Sequence, residues 1–589
     1  MSDHSARRHS TALVGLLACL MAVALVLPAA TFAKPPKPPK LVDVQLLAIN
    51  DFHGNLVPPS GSSGRVGNVS SSQTDADCGT TVPNCALAGG VAYLADDIKA
   101  LEATNPNTLV VSAGDNIGGS PLISAAFHDE PTIEALNELG LDFAAVGNHE
   151  FDEGVTELLR IQNGGCHPVD GCQTGHTYAG ADFQYLAANV VYKNNGKPIF
   201  PAYKTTSFAG ARIGLIGLTL EGTPTIVSAS GIQNVNFLDE ATTINAAVAQ
   251  LKKKGVHTIV VLIHEGGAQS ATFSTQTINT CTGFSGAISG IVGQIDDEVD
   301  LVVSGHTHNA YNCMLPNSAA RNIPVSSASS FGRLVTDIDM TINKNTDQPT
   351  SISVNNNIVA RDVADANETA LVNYYTNAVA PIANAVVGSI TADITRTGNG
   401  ASESALGDVI ADAQLEYAQP QNAVIAFMNP GGIRTDLVFG QISGGEAPGE
   451  VTYGEAFNVQ PFNNIPIAQD MTGQQIKDVL EQSFVGCFGR GQATVILQVS
   501  AGFNYTYDTA QACGSRITSL TLNGDALVMA DTYRVTMNNF LADGGDSFPG
   551  MKAGTNRVNL AGFDIDALTA YLTAHAPVAP GPQNRITKI

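Results

Sequence analysis

The sequence predicts an α/β protein of two domains, a larger N-terminal one and a smaller C-terminal one joined by a linker helix. Three observations predict it. At 589 residues the chain exceeds the ~250–300 residues at which a single core stops growing. Up to about residue 345, short β-branched runs alternate with helical stretches, the pattern of an α/β domain whose central strands are buried on both faces. From residue 388 the texture changes to a second mixture of helices and strands.

In chain order, MSDHSARRHS is followed by the apolar run TALVGLLACLMAVALVLPAA and by TFA before KPPKPPK. That is the three-part layout of a secretory signal peptide, with cleavage expected after Ala33. A lipoprotein box at Cys19 is disfavoured because the apolar run continues past it, and Arg7 and Arg8 read as an ordinary n-region. The first domain, residues 41–345, carries VQLLAI, TLVVSA, FAAV, ARIGLIGL, HTIVVLI and VDLVVS as strands, with ATTINAAVAQLKKKG as a helix between two of them. Residues 346–387 are expected to link the domains. Within them ADANETALVNYYTNAVAPIANAVVG has helical spacing and one proline, Pro381. The second domain, residues 388–589, mixes helices (ESALGDVIADAQLEYA, GQQIKDVLEQSF) with strands (NAVIAFM, TVILQVS, YRVTM), and no solenoid repeat is present.

The formal charge is −24, and loss of residues 1–33 removes Arg7, Arg8 and Asp3 and leaves −25 on 556 residues. Such an acidic chain stays soluble and repels the phosphate backbone, so no nucleic-acid polymer is expected as a partner. No long apolar segment recurs after residue 33. The mature chain is therefore expected to lack a membrane anchor and to reside in the periplasm or outside the cell, as a monomer or dimer. Of nine cysteines, eight remain without Cys19, in near-neighbour pairs Cys78/Cys85, Cys166/Cys172, Cys281/Cys313 and Cys487/Cys513. An even count in an exported chain suggests disulfides; eight cysteines permit 105 connectivities, of which pairing by proximity is the simplest. No CxxC spacing supports thiolate metal binding.

The apolar runs end alike. AIN is followed by Asp51 and His53, VVSAG by Asp115, AAVG by Asn148 and His149, VVLI by His264, and VVSG by His306 and His308. These oxygen and imidazole donors stand just past the carboxyl ends of predicted strands, where α/β sheets build their sites. A lone histidine there is usually a hydrogen-bonded surface residue, but five convergent strand ends are informative. Asp, Asn and His without Cys suit one or two borderline divalent ions such as Zn, Mn, Co or Fe. A bridging carboxylate can hold two of them ~3.5–4 Å apart for in-line displacement at phosphorus.

The motifs D-x-H, GD, GNHE, H-E-G-G and GHTH, in this order, resemble those of the calcineurin-like metallophosphoesterases. NPGGIRTD (429–436), VQPFNN (459–464) and NNFLADGGDSFP (538–549) resemble the C-terminal domain of 5'-nucleotidases, so the resemblance runs from about residue 41 to 585. It implies a four-layer αββα metallophosphoesterase domain followed by a C-terminal α/β nucleotide-binding domain. It also implies two divalent metal ions (Zn, Mn or Co), one held by Asp51, His53, Asp115 and His308 and the other by Asp115, Asn148, His264 and His306. Some relatives carry Gln at the position of His308.

Within GNHEFDEG (147–154), the resemblance makes His149 the catalytic histidine and Asp152 the carboxylate that orients it, while Glu150 and Glu153 are expected to be solvated or structural. Taken alone, Asp152 could merely cap the helix of VTELLRIQ. In the second domain Phe462 and Phe540 match the rings that sandwich a base, Asn464 and Asp546 the ribose contacts, and Arg434, with Asn429 in the same loop, the grip on phosphate. A guanidinium suits that grip because it is planar and always charged. This sequence departs from the family in TRTGNGASESALGDVI, where Gly400 and Asp408 stand in a turn that carries arginine in many relatives and Arg396 is the nearest substitute. The resemblance thus implies an exported phosphohydrolase that releases phosphate from a nucleoside 5'-monophosphate. Nucleoside di- and triphosphates are expected as further substrates; UDP-sugar diphosphatase and 2',3'-cyclic-nucleotide phosphodiesterase/3'-nucleotidase activities are the alternatives, and a nucleotide-binding protein without turnover is a reading from another class.

Overall fold

The computed structural model describes residues 40–69, 77–173, 175–490 and 493–589; the leader read in residues 1–33 lies outside them. The N-terminal part is built on two six-stranded sheets. The first runs, from edge to edge, Gln348–Ile358, Leu334–Asn343, Leu41–Ile49, Thr108–Ser112, Phe143–Ala145 and Gln184–Leu186. The second runs Ala310–Pro316, Asn322–Ala328, Val299–Ser304, Thr258–His264, Ala211–Thr219 and Tyr203–Phe208. The central strands of both are parallel, and all six apolar runs expected to be strands form them.

Alternation along each strand sorts side chains between two cores. Val44, Leu46 and Ala48 share one cluster with Leu215, Val260, Leu262, Leu301 and Val303, which seals the sheets face to face. The intervening Leu47 and Ile49 join Val91, Leu94 and Ile98 of helix Val91–Glu102 and Ile133 and Leu136 of helix Glu130–Leu139. On the other side Ile216, Leu218, Val261 and Ile263 meet Ile244, Val248 and Leu251 of helix Glu240–Lys253. The layers are thus helix, sheet, sheet, helix. Gly217 marks a close approach of the sheets, since a Cβ there would stand 2.3 Å from that of Leu186.

Two stretches differ from expectation. Gln348–Ile358 lies within the residues read as a linker, yet it pairs antiparallel with Leu334–Asn343 and completes the first sheet. TVILQVS yields only the short strand Gln498–Val499, because the preceding residues run as loop. The linker helix itself is Ala366–Ala383, capped by Asp365, which accepts the Asn367 and Glu368 N–H groups. Its Tyr375 ring packs 5.3 Å from Phe127, and one apolar cluster runs from there through Ile410 and Met428 of the C-terminal part. That part holds a five-stranded sheet (Gln498–Val499, Ile425–Met428, Thr532–Asn538, Pro466–Thr472, Thr555–Asn559) flanked by helices Ala405–Tyr417 and Gly473–Glu481. All four proximity pairs of cysteines form disulfides. No described helix is long and apolar enough to cross a membrane.

Candidate active site

Parallel strands bring their carboxyl ends to one rim, and five of them deliver the donors. Asp51 and His53 follow Leu41–Ile49, Asp115 follows Thr108–Ser112, Asn148 follows Phe143–Ala145, His264 ends its own strand, and His306 and His308 follow Val299–Ser304. Asp51, His53 and His308 form one tight group and Asp115, His264 and His306 another. His308 Nε2 lies 3.3 Å from Asp51 Oδ1, His264 Nε2 2.9 Å from Asp115 Oδ2, and His53 Nε2 3.6 Å from that same oxygen. Asn148 Oδ1 is 3.0 Å from His306 Nδ1. The structure therefore gathers all seven residues singled out as metal ligands, with Asp115 in the middle.

The other ring nitrogens are tied to backbone carbonyls. His53 Nδ1 bonds Gly118 O at 2.7 Å and His264 Nδ1 bonds Ala113 O at 2.9 Å. With Nδ1 donating to a carbonyl, each ring in its neutral form turns the Nε2 lone pair inward, the usual preparation of a metal-binding imidazole. Burial, with Arg434 next, holds His53 well below its ordinary value, and burial, with the facing His264, brings His306 down to about 4. Burial opposes charge on His264, yet Asp115 holds it up at about 10; burial likewise opposes the Asp115 carboxylate, which His264 and His149 keep ionised. His264 Nε2 is fully buried and aimed at the Asp115 carboxylate, 2.9 Å away, a pairing that a proton or a bound cation satisfies equally. The donor set, imidazole and oxygen without sulfur, fits two borderline divalent ions sharing Asp115.

Glu150, expected to be solvated or structural, is structural and buried. Its carboxylate accepts the N–H groups of Asp115, Asn116 and Gly147, and burial together with Asp115 raises it to about 7. It locks the loops bearing Asp115 and Asn148 to each other. Glu153 instead lies at the surface, paired with His128. Beside them His149 Nδ1 bonds Asp152 Oδ2 at 2.8 Å, and the Asp115 carboxylate accepts the His149 N–H. Burial would lower His149, but Asp152 and Asp115 raise it above its ordinary value. Gly118 makes room for this pair, since a Cβ there would meet the His149 carbonyl at 2.4 Å.

The C-terminal part reaches the same rim. Phe462 stacks on His149, with ring centroids 5.6 Å apart and planes at 17°, and Arg434 lies over Phe462 with one terminal nitrogen 3.3 Å from His53 Nε2. The Arg434 Nε is buried without a partner. Arg396 does not face the cluster: its guanidinium braces the Arg434 carbonyl and Ser63 Oγ. Asn429 Nδ2 donates to Asp546 Oδ2 at 2.8 Å, and Arg490 holds the Asp546 carbonyl. Phe540 lies against Gly545 in the neighbouring loop. Asn464 is tied to the buried Asp564, which burial raises to about 7. No sequence pattern pointed to Asp564. Asp408, too, stands apart from the rim, 3.8 Å from Arg585.

Comparison with known proteins agrees with this arrangement. Residues 44–310 match the calcineurin-like phosphoesterase family and residues 381–553 the 5'-nucleotidase C-terminal domain. Cell wall protein Lmo0130 of Listeria monocytogenes is 31% identical over 90% of this chain and 67% of its own length. The chain belongs to the 5'-nucleotidase family. Endonuclease YhcR of Bacillus subtilis is 30% identical over 93% of this chain, which spans 41% of that larger protein. The crystal structure of a 5'-nucleotidase precursor from Thermus thermophilus superposes with a TM-score of 0.74 at 25% identity, over 93% of this chain and 99% of its own. Membership in the 5'-nucleotidase family supports a metal-dependent hydrolase.

Proposed function

We propose that the chain is an exported dimetal phosphohydrolase that releases phosphate from nucleoside 5'-monophosphates. The observation that carries this reading is that the C-terminal part reaches the Asp/His cluster, Phe462 stacking on His149 and an Arg434 terminal nitrogen approaching His53 Nε2. Asp51, His53, Asp115 and His308 would hold one ion and Asp115, Asn148, His264 and His306 the other. Bound there, the ions supply Lewis-acid charge that lowers the pKa of water and polarises the phosphoryl group.

The chain's own residues do the rest. Arg434 grips a phosphoryl oxygen through its unpartnered Nε and its terminal nitrogens. Asp152 holds the Nδ1–H of His149, whose raised pKa leaves a proton on Nε2 to steady charge at phosphorus or pass to the leaving oxygen. Phe540 would offer a ring face to the base, and Phe462, whose ring meets His149 and Arg434 in this structure, would turn from them to sandwich it; Asp546, oriented by Asn429, would offer a carboxylate to the ribose, and Asn464 is tied to Asp564.

Export draws on the leader-like residues 1–33, the four disulfides and a relative named a cell wall protein. The test is phosphate release from AMP, ADP, ATP, UDP-glucose and a 2',3'-cyclic nucleotide, each with and without chelator. A DNA duplex belongs in the same panel, because one relative is named an endonuclease. Chelator-sensitive release from AMP is expected, and its absence across the whole panel would defeat the enzymatic reading.

A further inference from the structure

The loop that carries Asp546 is held from behind by a buried cation. Asp546 and Ser547 are consecutive residues with left-handed backbone, φ +51° and +58°, a conformation that side chains other than glycine's rarely adopt. Arg490, buried in the loop after helix Gly473–Glu481, spans this turn. One terminal nitrogen donates to the Asp546 carbonyl at 2.6 Å and lies 3.3 Å from the Ser547 carbonyl, while Nε donates to the Gln482 carbonyl on the opposite side. The other terminal nitrogen reaches the Ala493 carbonyl at 3.4 Å, and the guanidinium lies 4.5 Å from the centre of the buried Phe548 ring. The Arg490 main chain is fixed in turn: its N–H donates to the Cys487 carbonyl and its carbonyl accepts the Gly486 N–H, in a turn tied by the Cys487–Cys513 disulfide.

We propose that Arg490 is a positioning residue for nucleoside recognition: through the Asp546 and Ser547 carbonyls it aims the Asp546 carboxylate at a ribose diol, and so sets the preference for nucleoside phosphates over esters that lack the diol. The inference rests on the reading of Asp546 as the ribose contact. Three features support it. The hydrogen bonds of the Arg490 side chain go to main-chain carbonyls, so its charge acts on backbone geometry, where charge-assisted bonds are the strong ones. Only a planar fork can serve the Gln482 and Asp546 carbonyls at once while laying a face on Phe548; a lysine brings a single nitrogen. The loop also ties the carboxylate to the ring proposed to meet the base, because the Gly545 N–H donates to the Phe540 carbonyl at 2.9 Å and Gly545 lies against the Phe540 ring. Asn429 thus holds the Asp546 carboxylate from the front at 2.8 Å, and Arg490 holds its main chain from the rear.

The test compares phosphate release by the full chain from AMP and from 2',3'-dideoxyadenosine 5'-monophosphate, which keeps the base and the phosphate and lacks the diol. A carboxylate bonded to the diol should give wild type a kcat/KM about 10- to 100-fold higher for AMP. In Arg490→Gln that preference should fall below about threefold, chiefly through a raised KM for AMP, and in Arg490→Lys it should be intermediate. A substitution that merely destabilises the fold lowers both substrates alike, so the ratio reads positioning. Should Arg490→Gln fail to fold by circular dichroism, Arg490→Lys, which keeps the buried cation, carries the comparison. Asp546→Asn is the reference and should lose the preference. If it does so while the folded Arg490 variants keep the wild-type ratio, the positioning role is overturned and the ribose reading stands. If wild type shows no preference, or Asp546→Asn keeps it, the ribose reading falls and this inference falls with it. If neither ester is turned over, the proposed function itself fails, and the role of Arg490 with it.

Discussion

At the scale of single residues, the site is held in a backbone that most side chains avoid. Asp51, His53, Asp115, His306 and His308 all have φ between +48° and +70°, and each such residue costs on the order of 1 kcal/mol. The surrounding loops over-determine them, and Glu150 shows how: one carboxylate gathers three N–H groups from the loops of Asp115 and Asn148. Glu150→Gln keeps the shape but turns an N–H donor toward N–H donors. It should weaken metal retention about 10- to 100-fold, as loss of an outer partner does; titration of the stripped protein with manganese or zinc measures it. His149 is argued to act on the transition state. His149→Ala should then lower kcat by about 100-fold or more while nucleotide affinity, by calorimetry, changes less than about threefold. Equal losses in both would assign His149 to binding instead.

At the scale of elements, what was legible in the sequence is what periodicity and local motifs encode. The six buried strands were visible as β-branched runs, and the strand-end donors as polar residues breaking those runs. Gln348–Ile358 was not, because QPTSISVNNNI is an edge strand whose polar residues, the buried Asn356 apart, are exposed or half-exposed and whose few apolar ones give no run. The left-handed backbone of the ligand loops and the buried role of Glu150 were equally hidden, since both depend on which loops meet. So was the tie from Asn464 to Asp564, a hundred residues apart. Gly217 is another such case, a glycine inside a strand whose reason lies in the opposite sheet. Gly217→Ala would force a Cβ against Leu186 and should cost about 1–3 kcal/mol by overpacking. Chemical denaturation should show it as a lowered midpoint with an unchanged slope. An unaltered midpoint would mean that the sheets can part there without cost.

At the scale of the whole molecule, the Asp/His cluster and the residues proposed to face the base come from different parts of the chain, joined by helix Ala366–Ala383. A cross-link holding the C-terminal part away from the sandwich should therefore abolish phosphate release from nucleotides. The joining helix also carries a pH-sensitive group. Glu368 is fully buried, neither carboxylate oxygen has a protein partner, and burial, with Glu138 and Asp365 adding and Lys99 opposing, raises it to about 8. Its ordinary value is 4.5, so the sign follows. Below pH 4.5 the carboxyl is protonated in both folded and unfolded chains and costs nothing. As pH rises from there toward 8, the unfolded chain releases this proton and the folded chain retains it, so stability declines; beyond 8 the full penalty persists. Glu368→Gln has no proton to release. It should match wild type near pH 4 and gain on the order of 3 kcal/mol at pH 8. Melting midpoints of both proteins at the two pH values measure this. A gap of the same size at both would mean that the substitution acts through packing and that the buried carboxyl does not titrate across this range.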